Sequence, residues 1–196
     1  LFFLRLGISL STLPGFIPFA EDVLGQTFRP EDMVDPAPEL RAPPSLRDAD
    51  FETALSKVLA EPISLADDDR LIHSHGQLSV DEIYRLLYTG TLDRVVDMVV
   101  YPQSEEEVRA VVSVGNDHNV CLIPFGGGTN VSGALTCPTD EGRVIVSVDM
   151  RRMDRILWLD DDNLMACVEA GIGGKVLERE LGARGYTCGH DPDSVE

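Results

Sequence analysis

Val120-Cys121-Leu122-Ile123 runs without a break into Pro124-Phe125-Gly126-Gly127-Gly128-Thr129-Asn130-Val131-Ser132-Gly133. The four apolar residues predict a buried strand that delivers the chain into a glycine turn. Three consecutive residues without a Cβ can take positive φ and let another backbone or a ligand come close. Successive backbone N–H groups in such a turn form a concave nest for an anion. Thr129 and Asn130 add a hydroxyl and an amide as further donors. That chemistry suits a pyrophosphate. No Gly-Lys-Ser/Thr follows, which excludes a P-loop. Gly126, Gly128 and then Val131 break the G-x-G-x-x-G spacing of the doubly wound dinucleotide fold.

Upstream, Val95 to Tyr101 predicts a buried strand stopped by Pro102. Ser104 and Glu107 have the spacing of a capping box, and Val108, Val111 and Val112 form the apolar stripe of the helix that follows. Asn116 to Asn119 end it. Strand, helix and strand 120–123 make a β-α-β unit, with the glycine turn beyond the carboxyl end of its second strand, where open α/β sheets place ligands. Downstream, Val144 to Val148, Arg155 to Leu159 and Met165 to Ala170 read as strands, the last two a hairpin about Asp160 to Asn163. Trp158 on the middle one is read as a core or interface residue. Gly171, Gly173 and Gly174 open a helix through Leu181 that Gly185 closes, and close packing accounts for this second glycine group.

Before the β-α-β unit the composition changes. Prolines at 14, 18, 30, 36, 38, 43 and 44 punctuate the first fifty residues. A short helix is expected from about Pro18 to Leu24, closed by Gly25, and Arg29 to Arg47 reads as an extended arm. Phe51, Leu55, Val58 and Leu59 recur at helical spacing. Ser79 and Glu82 predict a second capping box ahead of Ile83, Leu86 and Leu87, with Gly90 ending that helix. Between the two lie His73 and His75; with no acidic or cysteine partner fixed by spacing, a polar loop contact is favoured over a metal site. The expected organisation is an arm and helical region over 1–90 and a ligand-binding domain over 91–196, α+β in class.

Length and charge bound the function. The 196 residues carry 16 Lys and Arg against 34 Asp and Glu, a net charge of −18. Nucleic acid is excluded as a partner, because neutralising phosphates needs clustered basic residues. Runs such as Asp67-Asp68-Asp69 read as solvated surface. Cys121, Cys137, Cys167 and Cys188 show no zinc spacing and are expected as reduced thiols, with Cys121 and Cys167 as small core residues. The opening Leu1-Phe2-Phe3-Leu4, interrupted by Arg5 and Gly7, is too short to span a membrane and lacks the layout of a signal peptide. Leu1 to Phe19 is a candidate for peripheral membrane contact, although Pro14 and Pro18 break any long amphipathic helix. The chain starts on Leu1 rather than Met and stops without a closing element, so both ends are expected to be cut.

Two segments together carry a resemblance. Ile123 to Ser132 and Gly189-His190-Asp191-Pro192-Asp193-Ser194 resemble the FAD-binding domain of the vanillyl-alcohol-oxidase, or PCMH-type, flavoproteins. Met153 to Trp158, Val168 to Ile172, Leu177 to Leu181, and Asp68-Asp69-Arg70 ahead of His73 to Gly76 make the chain similar to the alkyldihydroxyacetonephosphate synthases within that group. The resemblance implies FAD as cofactor, with its pyrophosphate held by backbone N–H groups of Pro124, Phe125, Gly126, Gly127, Gly128, Thr129 and Asn130. Pro192, Asp193, Ser194, Val195 and Glu196 would begin a second flavin-contacting loop. It implies exchange of the acyl chain of acyl-dihydroxyacetone phosphate for a long-chain fatty alcohol, with no net redox change, in ether-lipid synthesis. It also implies a homodimer at the membrane of a peroxisome or glycosome. The family's substrate domain and catalytic residues lie beyond Glu196, so no catalytic residue is assigned here, and an N-terminal fragment inactive alone is expected. A flavin-dependent 2-hydroxy-acid dehydrogenase shares the cradle and is the alternative enzyme. A non-catalytic nucleotide-binding or structural module is the alternative from another class.

Overall fold

The computed structural model describes residues 15–29, 39–76 and 79–189. The chain divides into two compact units, 1–35 and 36–196. In the first, α1 (Phe16–Leu24) ends on Gly25 at φ 64°, the left-handed stop expected there. Its N-terminus reaches two residues further back than the proline-based expectation.

The second unit contains α2 (Ala49–Val58), α3 (Asp67–Ile72), α4 (Val80–Thr89), β1 (Met98–Val100), α5 (Glu105–Asp117), β2 (Cys121–Phe125), β3 (Ile145–Asp149), β4 (Ile156–Asp160), β5 (Met165–Val168) and α6 (Gly174–Gly182). The class is α+β, as expected. The first three strands form one parallel sheet in the order β1-β3-β2, and β4 pairs antiparallel with β5. The β-α-β unit is present with a refinement: β1 and β2 are not neighbours, because β3 inserts between them. β1 is also shorter than the 95–101 expected. Val95, Val96 and Asp97 are buried but lie outside the ladder, and the other edge of β1 makes a single antiparallel bridge with Ser64.

β1 is apolar on both faces, and β3 carries two buried polar residues, Ser147 and Asp149, among its apolar ones; both strands are covered on both sides, the usual state of a parallel sheet. On one face Met98, Val100, Val146 and Val148 pack with Phe51 and Leu55 of α2 and Val111 of α5. On the other, Val99, Ile123, Phe125 and Ile145 pack with Leu135 and Cys137 from the chain beyond the glycine turn. The period-2 alternation thus places Phe125 and the turn's return limb in one cluster. Pro124 is accommodated because β2 is an edge strand, where a missing N–H need not break the ladder.

Helix ends explain the remaining placement. Ser104 caps α5 by accepting from the Glu107 N–H at 3.2 Å, a contact worth about 1 kcal/mol. Glu107 reaches back to the N–H of Gln103 at 2.9 Å and of Ala60 at 3.2 Å, so it ties α5 to the end of α2 as well. The stripe of α5 differs from the expected one: Val112 is exposed, and Val114 packs on the core instead. Asp48 caps α2 through the N–H groups of Asp50 and Phe51. Asp67 to Asp69, expected as solvated surface, form the first turn of α3, where carboxylates complement the helix dipole. The capping box expected at Ser79 and Glu82 does not form: Ser79 is the N-cap without a side-chain bond, and Glu82 is drawn elsewhere. Trp158 is 49% exposed, so it is not core, and Cys121 and Cys167 are half-buried. The four cysteines are free.

Candidate functional site

The glycine turn leaves the carboxyl end of β2, as expected. Pro124 and Phe125 are the last two residues of that strand, Pro124 exposed and Phe125 buried. Gly126 and Gly127 are exposed, Gly128 is buried, and Thr129 and Asn130 are half-buried. Together with Val131, Ser132, Ala134 and Leu135 the residues from Gly126 onward line a concavity of about 520 Å³. All of those side chains are uncharged, in a chain of net charge −18. Pro192 to Glu196, the expected second loop, and His190 and Asp191 lie outside the described residues.

The backbone of the turn has the conformation an anion cradle needs. Gly128 has φ 72° and Gly133 φ 74°, where a Cβ would be strained. Among the described residues the N–H groups of Gly128 and Thr129 meet no protein acceptor. A buried amide without a partner is rare in folded proteins, and at a concave glycine turn it marks a place for an anionic ligand or water. A Cβ at Gly126 would project into open space. These features fit a pyrophosphate. Pro124 has no N–H to contribute. Asn130 (φ 54°) is used within the protein: its Oδ1 accepts from the Leu135 N–H at 2.8 Å, and its Nδ2 donates to Thr136 Oγ1 at 3.3 Å. Its side-chain amide therefore shapes the turn rather than offering the extra donor expected from sequence.

Behind the turn stands the segment His73 to Gly76, all of it buried. A Cβ on Gly76 would lie 2.6 Å from the Asn130 Cβ and 3.1 Å from the Thr129 carbonyl oxygen. Glu82 accepts from the Gly76 N–H at 2.9 Å and stands 3.5 Å from Thr136 Oγ1, so it links α4 to both limbs of the site. That contact is what takes Glu82 away from the cap of its own helix.

His73 and Asp149 form a buried pair beneath the turn that sequence reasoning missed. Both side chains are 1% exposed, and His73 Nε2 meets Asp149 Oδ2 at 2.7 Å. The His73 Nδ1 meets the Asp69 carbonyl at 2.6 Å. Both partners are acceptors, so the ring makes both bonds only by donating at each nitrogen. Arg151 donates its Nε to the same carboxylate oxygen at 2.7 Å and its backbone N–H to Oδ1 at 2.8 Å. Burial pushes the Asp149 carboxyl up, and the donors from His73 and Arg151 outweigh it, so it titrates below the usual carboxylate range. The phenol of Tyr101, beside Arg151 and half-buried, is pushed up to about 12 by burial and by the nearby Asp69. The signal available in the sequence was Asp149, a carboxylate closing a strand whose other residues are apolar except Ser147.

Because the native Asp149 binds its proton more weakly than the unfolded one, its contribution to stability is complete above the ordinary carboxylate range. That contribution is lost as pH falls through the depressed value. Asp149→Asn is expected to cost roughly 2–4 kcal/mol near neutral pH and to flatten the acid limb of the stability profile. Urea unfolding of both proteins from about pH 6 to about pH 3 measures it; parallel profiles would contradict the assignment.

Among the described residues no group of three or more His, Cys, Asp and Glu is arranged to hold a metal, and no helix is long and apolar enough to cross a membrane.

Comparison with known proteins places this geometry. The family described as FAD binding domain matches residues 96–196. The alkyldihydroxyacetonephosphate synthase of Caenorhabditis elegans is 38% identical over 96% of this chain, which covers 31% of that protein. That of Dictyostelium discoideum is 36% identical, with the same 96% and 31% covered. A solved alkyldihydroxyacetonephosphate synthase superimposes with a TM-score of 0.78 at 31% identity, over 94% of this chain and 35% of that one. The chain thus spans about a third of the length of these two curated relatives, 31% of each.

Proposed function

The chain belongs to the FAD binding domain family, and from that premise we propose that it is the flavin-binding portion of an alkyldihydroxyacetonephosphate synthase. The observation that carries the reading is the glycine turn of Gly126 to Asn130: uncharged, concave, and with the Gly128 and Thr129 amides turned to no acceptor among the described residues. Those amides, with the space above Gly126, would hold the FAD pyrophosphate. The ring system of FAD would supply the reactive carbon- and electron-accepting chemistry. This chain's part is to bind the anionic end and fix its position. Pro192 to Glu196 would add the second contact. In the whole enzyme the substrates are acyl-dihydroxyacetone phosphate and a long-chain fatty alcohol, which fits the names of the relatives. The FAD-binding domain is assigned to 91–196, with 1–90 as arm and helical region. Peroxisomal or glycosomal residence, a homodimer and peripheral membrane contact through Leu1 to Phe19 belong to the same proposal and rest on the family resemblance.

Titration of the purified chain with FAD, followed by flavin fluorescence, tests the reading. Gly126→Glu is the informative variant, because its side chain starts in open space. The fold is expected to persist with an unchanged melting temperature. The carboxylate placed over the amides should weaken FAD binding by about a hundredfold or more, since it competes for the same donors and repels the phosphates. Equal affinity of the two proteins would remove the turn from the flavin site.

A further inference from the structure

We propose that His73 is a positioning residue for the glycine turn, acting through Asp149 and Phe125; the proposal rests on the flavin reading of that turn. One buried imidazole holds the ends of both strands beneath the site. Its Nε2 donates to Asp149, the last residue of β3. Its ring lies 4.3 Å, centroid to centroid, from Phe125, the last residue of β2 and the residue immediately before Gly126. Phe125 and Asp149 are partners in the β2–β3 register, and the N–H of Met150 donates to the Phe125 carbonyl at 3.2 Å. The strand ends and the ring therefore form a closed loop of contacts. Its fourth side is α3, where Nδ1 is tied to the Asp69 carbonyl.

The groups facing this ring come from every neighbouring element. They are Asp69 on α3, Tyr101 after β1 at 6.0 Å, Phe125 on β2, and Asp149 with its Arg151 partner at the end of β3. With the ring at 1% exposure, nothing in this arrangement brings His73 to a ligand. Its effect on binding runs through the backbone it fixes, and a rigid supporting shell is what keeps amide donors at a usable spacing.

Two conservative variants separate this role from a merely local one. Gln places its Nε2 near the position of the imidazole Nε2 and keeps the donor to Asp149. Asn places its Nδ2 near Nδ1 and keeps only the donor to Asp69, within α3. If His73 serves only to finish α3, Asn is the better replacement. If it positions the turn, Gln is.

The experiment measures FAD dissociation constants and backbone amide shifts of Gly126, Gly128 and Thr129 in the flavin-free chain, for wild type, His73→Gln, His73→Asn and His73→Ala. Leu55→Ala, in the core on the opposite face of the sheet, serves as a destabilised control with unchanged affinity. Expected are an affinity loss of about tenfold or more with displaced turn amides for Asn and Ala, and recovery to within about threefold with near-native amides for Gln. Equivalent behaviour of Gln and Asn overturns the inference, as do wild-type amides in all three variants. Failure of the wild-type chain to bind FAD would defeat the flavin reading separately, and the amide shifts would still decide whether His73 positions the turn.

Discussion

Gly171→Ala is expected to destabilise the chain by about 3 kcal/mol or more. An added Cβ at Gly171 would sit 1.8 Å from the carbonyl oxygen of Met150, 2.4 Å from its carbonyl carbon and 2.9 Å from the Cα of Arg151. None of these is the end of a side chain that can swing away. The backbone they belong to is itself pinned. The Gly171 N–H donates to the Met153 carbonyl at 2.8 Å, and the Met153 N–H donates to the Met150 carbonyl at 2.8 Å. Relief therefore requires the turn after β3 to separate from the segment after β5. For a domain of this size the loss corresponds to a fall in melting temperature of roughly 6–12 °C. Thermal and urea unfolding of the variant measure it, and a loss below about 1 kcal/mol would mean that the two segments do not meet as described. Movement of Met150 also drags Arg151 from Asp149, so the same variant is expected to carry a weakened flavin affinity.

What the sequence disclosed and what it withheld divide along a physical line. Local chemistry was legible. The apolar run into Pro124 announced β2, Ser104 announced the start of α5, and Gly25 and Gly90 stop their helices in the left-handed conformation. Asp160 to Asn163 makes the polar turn of the β4–β5 hairpin, with Asp160 bonded to the N–H groups of Asp162 and Asn163. Close packing was the right reading of Gly171, although nothing in the sequence named Met150 as what it packs against. The glycine turn itself was legible because three glycines are a compositional signal that needs no partner.

Long-range pairing was not legible. His73 and Asp149 are separated by 76 residues, and no periodicity connects a histidine at the end of a short helix with a carboxylate at the end of a strand. The insertion of β3 between β1 and β2 is likewise a choice of sheet order, which alternating or continuous apolar patterns leave open. Glu82 shows the two kinds of information in competition. Its spacing from Ser79 satisfies the capping-box rule, yet the buried Gly76 N–H offers a contact worth more than a solvent-facing cap, and tertiary structure wins. The glycines of the site divide in the same way. Gly128 and Gly133 are required by their own backbone angles, whereas Gly76 is required by a neighbour that lies more than fifty residues away in sequence.

That last requirement gives the second large effect. Gly76→Ala is expected to weaken FAD binding by about ten- to a hundredfold, while costing about 1–3 kcal/mol of stability. The new methyl would lie 2.6 Å from both the Asn130 Cβ and the Ser79 Oγ, and 3.1 Å from the Thr129 carbonyl oxygen. Ser79 can rotate, and its hydroxyl caps nothing. Asn130 cannot. Its Cβ is set by a left-handed backbone, and its side chain is bonded to Leu135 and Thr136 across the turn. The strain therefore goes into the Thr129–Asn130 peptide, next to one of the amides assigned to the pyrophosphate. A double variant locates the cause. Adding Ser79→Ala to Gly76→Ala removes the contact with the hydroxyl and leaves those with Asn130 and Thr129. If affinity stays low in the double variant, the turn is what Gly76 protects. If affinity returns, the single variant acted through the start of α4, and the packing of Gly76 against the turn has no part in binding.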